Sequence, residues 1–310
     1  MTGSGTAGDW ARGAGLGSAR LVVDAHANLG EGPVWDTERR ILWWVDILGG
    51  IVHSFDPGTG RDESIEIGQT VGAVALRHDG NLLVLGQDAI LVLDPGTRRL
   101  DLLFAFERES PIRRTNDAKP DPGGRLWIDR MPSDHAAGMG SLRRLGHDLR
   151  LESILDNLTI PNGLAWSPDG RTMYFAESMS RVVTAYDFDV ASGTISSGRP
   201  FIRIGPAVGL PSNAVPDGLV VDTEGFVWVA VWNGYCVVRV SPDGAIVARV
   251  DLPVSQVSSL AFCGPELADL YITSAREDFD DAAAEREPNA GGLFHVATPF
   301  RGLPAHKFAG

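Results

Sequence analysis

The chain has 310 residues, of which 44% are hydrophobic and 22% charged, and its 40 acidic and 27 basic residues leave a formal net charge of −13. This composition is typical of a globular protein and excludes an intrinsically disordered chain. So acidic a protein is not attracted to nucleic-acid phosphates or to anionic membranes, and no run approaches the ~18 uncharged apolar residues of a membrane span. We therefore expect neither a nucleic-acid nor a membrane partner.

The N-terminal segment, residues 1–18, is rich in Gly and Ala and lacks the basic and apolar regions of a secretory signal. We expect a flexible tail here and a single folded domain over residues 19–310. Two cysteines, Cys236 and Cys263, are too few for a disulfide framework and lack metal-ligand spacing. They are expected to be packing residues in a cytoplasmic protein, either a monomer or a weak homo-oligomer.

Along the chain, apolar residues occur in short runs of strand length separated by turn sequences. The runs are rich in β-branched and aromatic residues, and Asp-Gly and Asp-Pro-Gly turns separate them; clear examples span 41–45, 82–85, 172–175 and 227–231. The best helical candidate, 281–287, is short. The pattern predicts an all-β protein.

The sequence repeats itself with a period of roughly 40–50 residues. Six units align at positions 31, 72, 116, 162, 217 and 258, which are 41, 44, 46, 55 and 41 residues apart. Several strands per unit at this spacing predict a six-bladed β-propeller with four-stranded antiparallel blades, rather than a sandwich or a two-domain β protein. Segment 20–23 has no unit of its own, and we expect it to pair near Phe294 or Lys307 and to close the ring.

The first residue of each aligned unit differs from unit to unit. The six residues at this position are Glu31, Gly72, Asn116, Asn162, Asp217 and Ser258. The innermost strands of a propeller line a channel, where buried carboxylates and amides are costly unless a cation or ordered water satisfies them. Oxygen donors suit Ca²⁺, Mg²⁺ or Mn²⁺, and Zn²⁺ also accepts carboxylates. The competing interpretation is that the Asn-Gly and Asp-Gly pairs are ordinary turns.

Other catalytic patterns are missing from the sequence. The seven histidines show neither H-x-H nor H-E-x-x-H spacing, and the G-x-S-x-G motif does not occur. A site built on carboxylates and amides is therefore the favoured candidate.

Five motifs in order resemble those of the regucalcin and gluconolactonase-like family of six-bladed propellers. They begin at Leu29 (Leu-Gly-Glu-Gly-Pro-Val-Trp), Arg114 (Arg-Thr-Asn-Asp-Ala-Lys-Pro), Pro161 (Pro-Asn-Gly-Leu-Ala-Trp-Ser), Val215 (Val-Pro-Asp-Gly-Leu) and Gly291 (Gly-Gly-Leu-Phe). The resemblance covers residues 29–310. It implies an enzyme that uses one divalent cation to open the ester ring of a small-molecule sugar lactone, giving the aldonic acid.

The resemblance implies that Glu31, Asn162 and Asp217 hold the cation, and that Asp217 also accepts and donates the proton in catalysis. A carboxylate that binds a cation is a weaker base, so the two roles of Asp217 compete. Two other classes of function are considered: a non-catalytic regulatory propeller that binds a divalent cation, and a promiscuous phosphotriesterase.

Substrate contacts are also implied by the resemblance, at Arg114 and Asn116. Where the family often has Gly-Thr-Met, this chain has Asp129-Arg130-Met131. We include Asp129 among the expected substrate-binding residues and expect the loop 132–140 to roof the mouth of the channel, so that both affect which lactone is chosen.

Overall fold

Six four-stranded antiparallel sheets form the computed structural model of this protein, which describes residues 16–107 and 112–310. Most of the predicted N-terminal tail, residues 1–15, lies outside the described residues. At the start of the described chain, Leu16 packs against the hydrophobic core and Ser18 bridges Asp251. The first strand, β1 (Arg20–Val23), belongs to the last sheet.

In the first three blades the strands follow chain order from the channel outward. Blade 1 consists of β2 (Gly30–Asp36), β3 (Ile41–Asp46), β4 (Ile51–Asp56) and β5 (Arg61–Glu66). Blade 2 consists of β6 (Val71–Leu76), β7 (Leu82–Gly86), β8 (Ala89–Leu93) and β9 (Leu100–Ala105). Blade 3 consists of β10 (Arg113–Pro120), β11 (Leu126–Pro132), β12 (Gly140–Leu145) and β13 (Leu151–Leu158).

The last three blades repeat this order, and the sixth is completed from the other end of the chain. Blade 4 consists of β14 (Pro161–Trp166), β15 (Thr172–Glu177), β16 (Val182–Asp189) and β17 (Thr194–Arg203). Blade 5 consists of β18 (Val215–Val221), β19 (Val227–Trp232), β20 (Cys236–Val240) and β21 (Ile246–Asp251). Blade 6 consists of β22 (Val257–Cys263), β23 (Asp269–Ser274), β24 (Leu293–Ala297) and β1.

The ring closes because the first strand pairs with the last. In the β1–β24 pair, Arg20 lies opposite His295 and Leu21 lies opposite Phe294. The expected pairing near Phe294 is confirmed, whereas the chain near Lys307 pairs elsewhere: Phe308 bridges Arg77 of blade 2. The innermost strands contact one another in sequence around the ring, and β22 contacts β2. The predicted six-bladed propeller is confirmed.

The core lies between the blades. Each inner strand is covered on both faces by neighbouring blades, so β6 and β14 are buried along their whole length, whereas the outermost β13 alternates between half-buried and exposed residues. Fully buried tryptophans on the second strands of three blades fill much of this space, namely Trp44, Trp127 and Trp228. Both cysteines are free and buried, as the sequence predicted for packing residues.

Helical structure is limited to two short segments in the described ranges. A 3-10 turn spans Pro206–Val208, and α1 (Asp281–Arg286) confirms the helical candidate. The side chain of Asp280 caps α1 by accepting a hydrogen bond from the Ala283 amide at 2.7 Å. No helix in the described part of the chain is long and apolar enough to cross a membrane.

Candidate metal and substrate site

A break in strand register recurs at the start of every innermost strand. The register shifts fall between Glu31 and Val34, Val71 and Ala73, Thr115 and Ala118, Asn162 and Leu164, Pro216 and Leu219, and Val257 and Ser259. Such bulges leave residues unpaired and re-aim their side chains. The six positions that differ from unit to unit therefore lie at or beside a bulge at one end of the channel, which we call the site end.

The bulges place polar side chains where they also satisfy the irregular backbone. The Gly32 amide donates to Glu31 Oε2 at 2.9 Å, and the Gly163 amide donates to Asn162 Oδ1 at 3.0 Å. Asp117 accepts from the amide of the next residue in the same way, at 2.7 Å. The Asn-Gly and Asp-Gly pairs lie inside β14 and β18. The competing interpretation, that these dipeptides are ordinary turns, is therefore wrong.

Gly163 is required by the close approach of two inner strands. A Cβ atom at this position would lie 2.3 Å from the backbone oxygen of Asp217. No side chain fits there without moving one of the two strands.

The three predicted cation ligands come together at the site end. The side chains of Glu31 and Asn162 both lie close enough to the carboxyl group of Asp217 to shift its pKa. Glu31, Asn162 and Asp217 are 4%, 5% and 4% exposed, respectively. Two successive hydrogen bonds fix the position of Asn162: it donates to Ser178 Oγ at 3.2 Å, and Ser178 donates to the Pro216 carbonyl at 2.9 Å.

The two carboxyl groups are strongly perturbed. Burial, reinforced by the charge of Asp117, raises the pKa of Glu31 to about 8. Burial and the adjacent Glu31 raise the pKa of Asp217 well above its ordinary value. Two carboxyls this close cannot both be ionised without a compensating positive charge.

The residues present fit a divalent cation. Asp217 Oδ1 is buried and has no hydrogen-bond partner among the described residues. Four carboxyl groups lie close together here, those of Glu31, Asp117, Asp129 and Asp217, and the positive charges of Arg114 and Lys119 interact with members of this group. Among the described residues, no group of three His, Cys, Asp or Glu side chains could hold a metal ion. The third donor of this site would therefore be the amide oxygen of Asn162. An all-oxygen donor set suits a hard cation.

Arg114 and Asn116 form a buried pair beside this cluster. Arg114 Nη1 donates to Asn116 Oδ1 at 2.7 Å and to the Thr115 carbonyl at 3.2 Å. Asn116 Nδ2 donates to the Pro161 carbonyl at 2.9 Å, which ties blade 3 to blade 4. Burial lowers the pKa of Arg114, and carboxylates that include Glu31 oppose this shift. The structure thus brings together five of the six predicted site residues.

Asp129 occupies a different environment. It is fully buried on β11 opposite the bulge of β10, and within residues 16–107 and 112–310 neither of its carboxylate oxygens has a hydrogen-bond partner. Burial and the charge of Asp117 raise its pKa well above the ordinary value, while Lys119 acts in the opposite direction. A substrate contact at Asp129 remains a prediction.

Three charged residues near the site were missed by sequence reasoning. Asp117 and Lys119 stand in the same motif as Asn116, and the Lys119 ammonium crosses the channel to donate to the Leu219 carbonyl at 2.6 Å. Their position in that motif was the available signal. Glu277, whose charge acts on Arg114, lies in a connection between strands and outside the repeat pattern.

The other end of the channel is mostly apolar. A cavity of about 130 Å³ is lined there by inner-strand residues such as Val74 and Leu219 and by the C-terminal segment 303–306. None of the predicted cation ligands lines it. The charged side chains of Asp117 and Lys119 also line this cavity, so it reaches the charged residues beside the predicted cation ligands.

Known proteins share both the sequence and the fold. The profile of the SMP-30/gluconolactonase/LRE-like region matches residues 29–276. Pentonolactonase XacC of Haloferax volcanii is 36% identical over 92% of this chain and 96% of its own length, and regucalcin of Xenopus laevis is 32% identical over 93% and 97%.

Among solved structures, the calcium-binding protein regucalcin of Agrobacterium tumefaciens superposes with a TM-score of 0.88 at 29% identity and covers 94% of this chain and 97% of that protein. The family profile matches most of the chain, and two relatives exceed 30% identity over nearly its full length. The chain therefore belongs to the SMP-30/gluconolactonase/LRE-like family.

Proposed function

We propose that this protein is a divalent-metal-dependent sugar lactonase, which hydrolyses the ring ester of a polyhydroxylated lactone to the aldonic acid. The single observation that carries the proposal is the meeting of Glu31, Asn162 and Asp217, from three different blades, around an unpartnered carboxylate oxygen. A lactonase at 36% identity supports the reaction class, and a calcium-binding relative at 29% identity supports the cation.

The cation would be held by the carboxylates of Glu31 and Asp217 and by the amide oxygen of Asn162. When bound, it supplies Lewis-acid polarisation of the ester carbonyl and makes water more acidic. Its positive charge also permits both carboxyl groups to be ionised together, because it offsets the repulsion and the burial that otherwise keep a proton on the pair.

Asp217 carries the proton transfers in the proposed mechanism. The oxygen of water attacks the ester carbonyl carbon while the carboxylate of Asp217 accepts the proton that water loses. The bond between the carbonyl carbon and the ring oxygen then breaks, and Asp217 returns the proton to that oxygen. The product carries one carboxyl and one new hydroxyl group, so atoms and protons balance.

Arg114 and Asn116 orient the substrate. Arg114 uses only Nη1 within the described chain, so its Nε and Nη2 groups can donate to lactone oxygens. Asn116 fixes the guanidinium from one side and is itself fixed by the Pro161 carbonyl. Donors held in place in this way lose little entropy when the substrate binds.

A pH-indicator assay on a lactone panel tests the proposal. The metal-free protein is given Ca²⁺, Mg²⁺, Mn²⁺ or Zn²⁺ in turn and offered glucono-1,5-lactone, a pentono-1,4-lactone and a phosphotriester. We expect acid release from a sugar lactone that chelator abolishes and one of the cations restores. Metal binding without turnover of any lactone would instead identify a cation-binding propeller, and hydrolysis of the phosphotriester alone would identify a phosphotriesterase.

A further inference from the structure

Glu277 stands at the site end of the channel, in the connection that leaves blade 6. Strand β23 ends at Ser274, opposite Val257 at the start of β22. The next residue, Ala275, bridges Leu29, and the Arg276 amide donates to the Asn28 carbonyl at 3.1 Å. The chain therefore runs beside the segment that leads into Glu31 and reaches Glu277 at the mouth of the site.

The backbone of Glu277 is held from both sides by one buried amide. Its N–H donates to Gln256 Oε1 at 2.8 Å, and Gln256 Nε2 donates to its carbonyl at 2.9 Å. Gln256 is 9% exposed and directly precedes β22. This pair of hydrogen bonds fixes the main chain of Glu277, so the position of its side chain is built into the blade.

The carboxylate of Glu277 is left without a partner in the described chain. Its backbone makes both hydrogen bonds of the residue, and the side chain forms no ion pair with Arg114 or with its neighbour Arg276. Glu277 is half-buried, so the carboxylate is reachable from the mouth. An ionised carboxylate only accepts hydrogen bonds, and this one accepts none from the described residues.

Arg114 lies on the opposite side of the ring. It belongs to blade 3 and Glu277 to blade 6, and these blades are three positions apart in a ring of six. The Glu277 charge acts on the Arg114 guanidinium more strongly than Glu31 or Asp217 does. Unused donors of Arg114 and the unused acceptor of Glu277 are thus within electrostatic reach of each other, with no hydrogen bond or ion pair between them.

We propose that Glu277 is a specificity-determining residue, whose carboxylate accepts hydrogen bonds from the ring hydroxyls of a polyhydroxylated lactone that Arg114 binds from the other side. This inference rests on the proposed lactonase function and adds to it the recognition of the hydroxyl groups. A substrate without hydroxyls cannot satisfy the carboxylate, and leaving that charge unpartnered in a partly dehydrated complex is costly.

The test compares lactones of equal ring size with and without hydroxyl groups. The pairs are glucono-1,5-lactone with δ-valerolactone, and a pentono-1,4-lactone with γ-butyrolactone. In Glu277→Gln the amide keeps the shape but loses the charge and gains a donor. We expect kcat/KM on the faster sugar lactone to fall by about tenfold or more, mainly through KM, while kcat/KM on its unsubstituted partner stays the same or rises.

Two further variants make the result specific. Asp278→Asn removes the same charge from the exposed neighbouring residue and should leave both substrates unaffected. Glu277→Asp retains an acceptor and should recover part of the lost activity on the sugar lactone. Because the Glu277 carboxylate forms no hydrogen bond or ion pair with a described residue, the melting temperature of the Glu277 variants should change little, by no more than the loss of its charge interaction with Arg114 accounts for.

The outcomes separate this inference from the function on which it rests. An unmodified protein that opens no lactone contradicts the proposed function, and the inference with it. An unmodified protein that opens the sugar lactone, together with a Glu277→Gln variant that changes both substrates of a pair by the same factor or changes neither, overturns only the assignment of Glu277.

Discussion

Glu31 and Asp217 come from blades 1 and 5 and are separated along the ring by blade 6, yet their carboxyl groups lie close enough near the channel axis for each to shift the pKa of the other. This proximity is possible because each residue sits at a bulge that opens its innermost strand towards the channel. In the absence of a cation, the pair is compatible with burial only if it retains a proton.

Replacing one member of this pair should have opposite effects on activity and on metal-free stability. Glu31→Gln removes a cation ligand, so we expect lactonase activity to fall by about 10³-fold or more. It also removes one of two repelling carboxyls, so the metal-free protein should melt at the same temperature as the unmodified protein or above it.

The measurement is a pair of thermal melts, with chelator and with saturating cation, beside the activity assay. The unmodified protein should gain stability from the cation, and Glu31→Gln should gain much less. Asp217→Asn should behave similarly. Full activity in both variants in the presence of chelator would contradict the proposed role of the pair.

Stability of the metal-free protein should depend on pH in a direction set by Glu31. Its pKa is about 8 in the folded protein and 4.5 in the unfolded chain, so between these values the folded state holds a proton that the unfolded chain has released. The contribution of Glu31 to stability is therefore greatest below pH 4.5. It decreases as the pH rises from 4.5 and is lost by the time the pH has passed about 8. The raised pKa of Asp217 acts in the same direction.

Denaturant unfolding in chelator, from about pH 5 to pH 9, measures this slope. The slope should flatten in Glu31→Gln, and affinity for the cation should increase with pH over the same window, because the cation displaces a proton. A metal-free protein whose stability increases across the window would show that the carboxyl pair is ionised without a cation.

Gly163→Ala should damage the site through the backbone of a neighbouring blade. The added Cβ would lie 2.3 Å from the Asp217 carbonyl oxygen, so β14 and β18 must separate. We expect a loss of about 1–3 kcal/mol in the free energy of unfolding, together with weaker cation binding. Gly96→Ala is the matched control, since its Cβ would meet nothing closer than 3.4 Å. Calorimetric cation titrations of both variants measure the effect, and equal affinities would contradict it.

Asp222→Ala should destabilise the fold without altering the site. Asp222 is fully buried at the far end of β18, where Trp228 Nε1 donates to it at 2.9 Å and Arg239 Nε at 2.8 Å. Removing the carboxylate leaves the Arg239 charge buried, so we expect a loss of about 3–5 kcal/mol in the free energy of unfolding.

The control for Asp222→Ala is Asp187→Ala, which breaks an exposed ion pair with Arg199 and should cost far less stability. Denaturant unfolding measures both losses. The kcat of Asp222→Ala, assayed well below its melting temperature, should equal that of the unmodified protein. A large fall in kcat would show that blade 5 transmits strain to Asp217.

The blade architecture could be predicted from the sequence because it depends on local patterns. Apolar runs of strand length, turn sequences between them and a repeat of roughly 40–50 residues are all visible in the chain. The ring closure could be anticipated for a related reason: segment 20–23 was a strand without a repeat unit, and a sheet edge needs a partner. Its partner remained one of two candidates until the register of Arg20 with His295 was known.

The six positions that differ from unit to unit also followed from the sequence, since residues at one phase of a repeat occupy equivalent places in the ring. Glu277 did not, because it lies in a connection where no repeat or motif indicates which way the chain runs. Asp129 is a second example. Its position in a strand could be predicted from the sequence, but its full burial beside Asp117 could not.

By itself, the sequence determined the number of blades, the strands within them and the six positions that differ from unit to unit, because periodicity and residue type are local properties. Only the tertiary structure decided which of these side chains meet. Contact across a ring depends on where each bulge turns its residue and on how closely neighbouring strands approach, and these are properties of chain segments far apart in sequence.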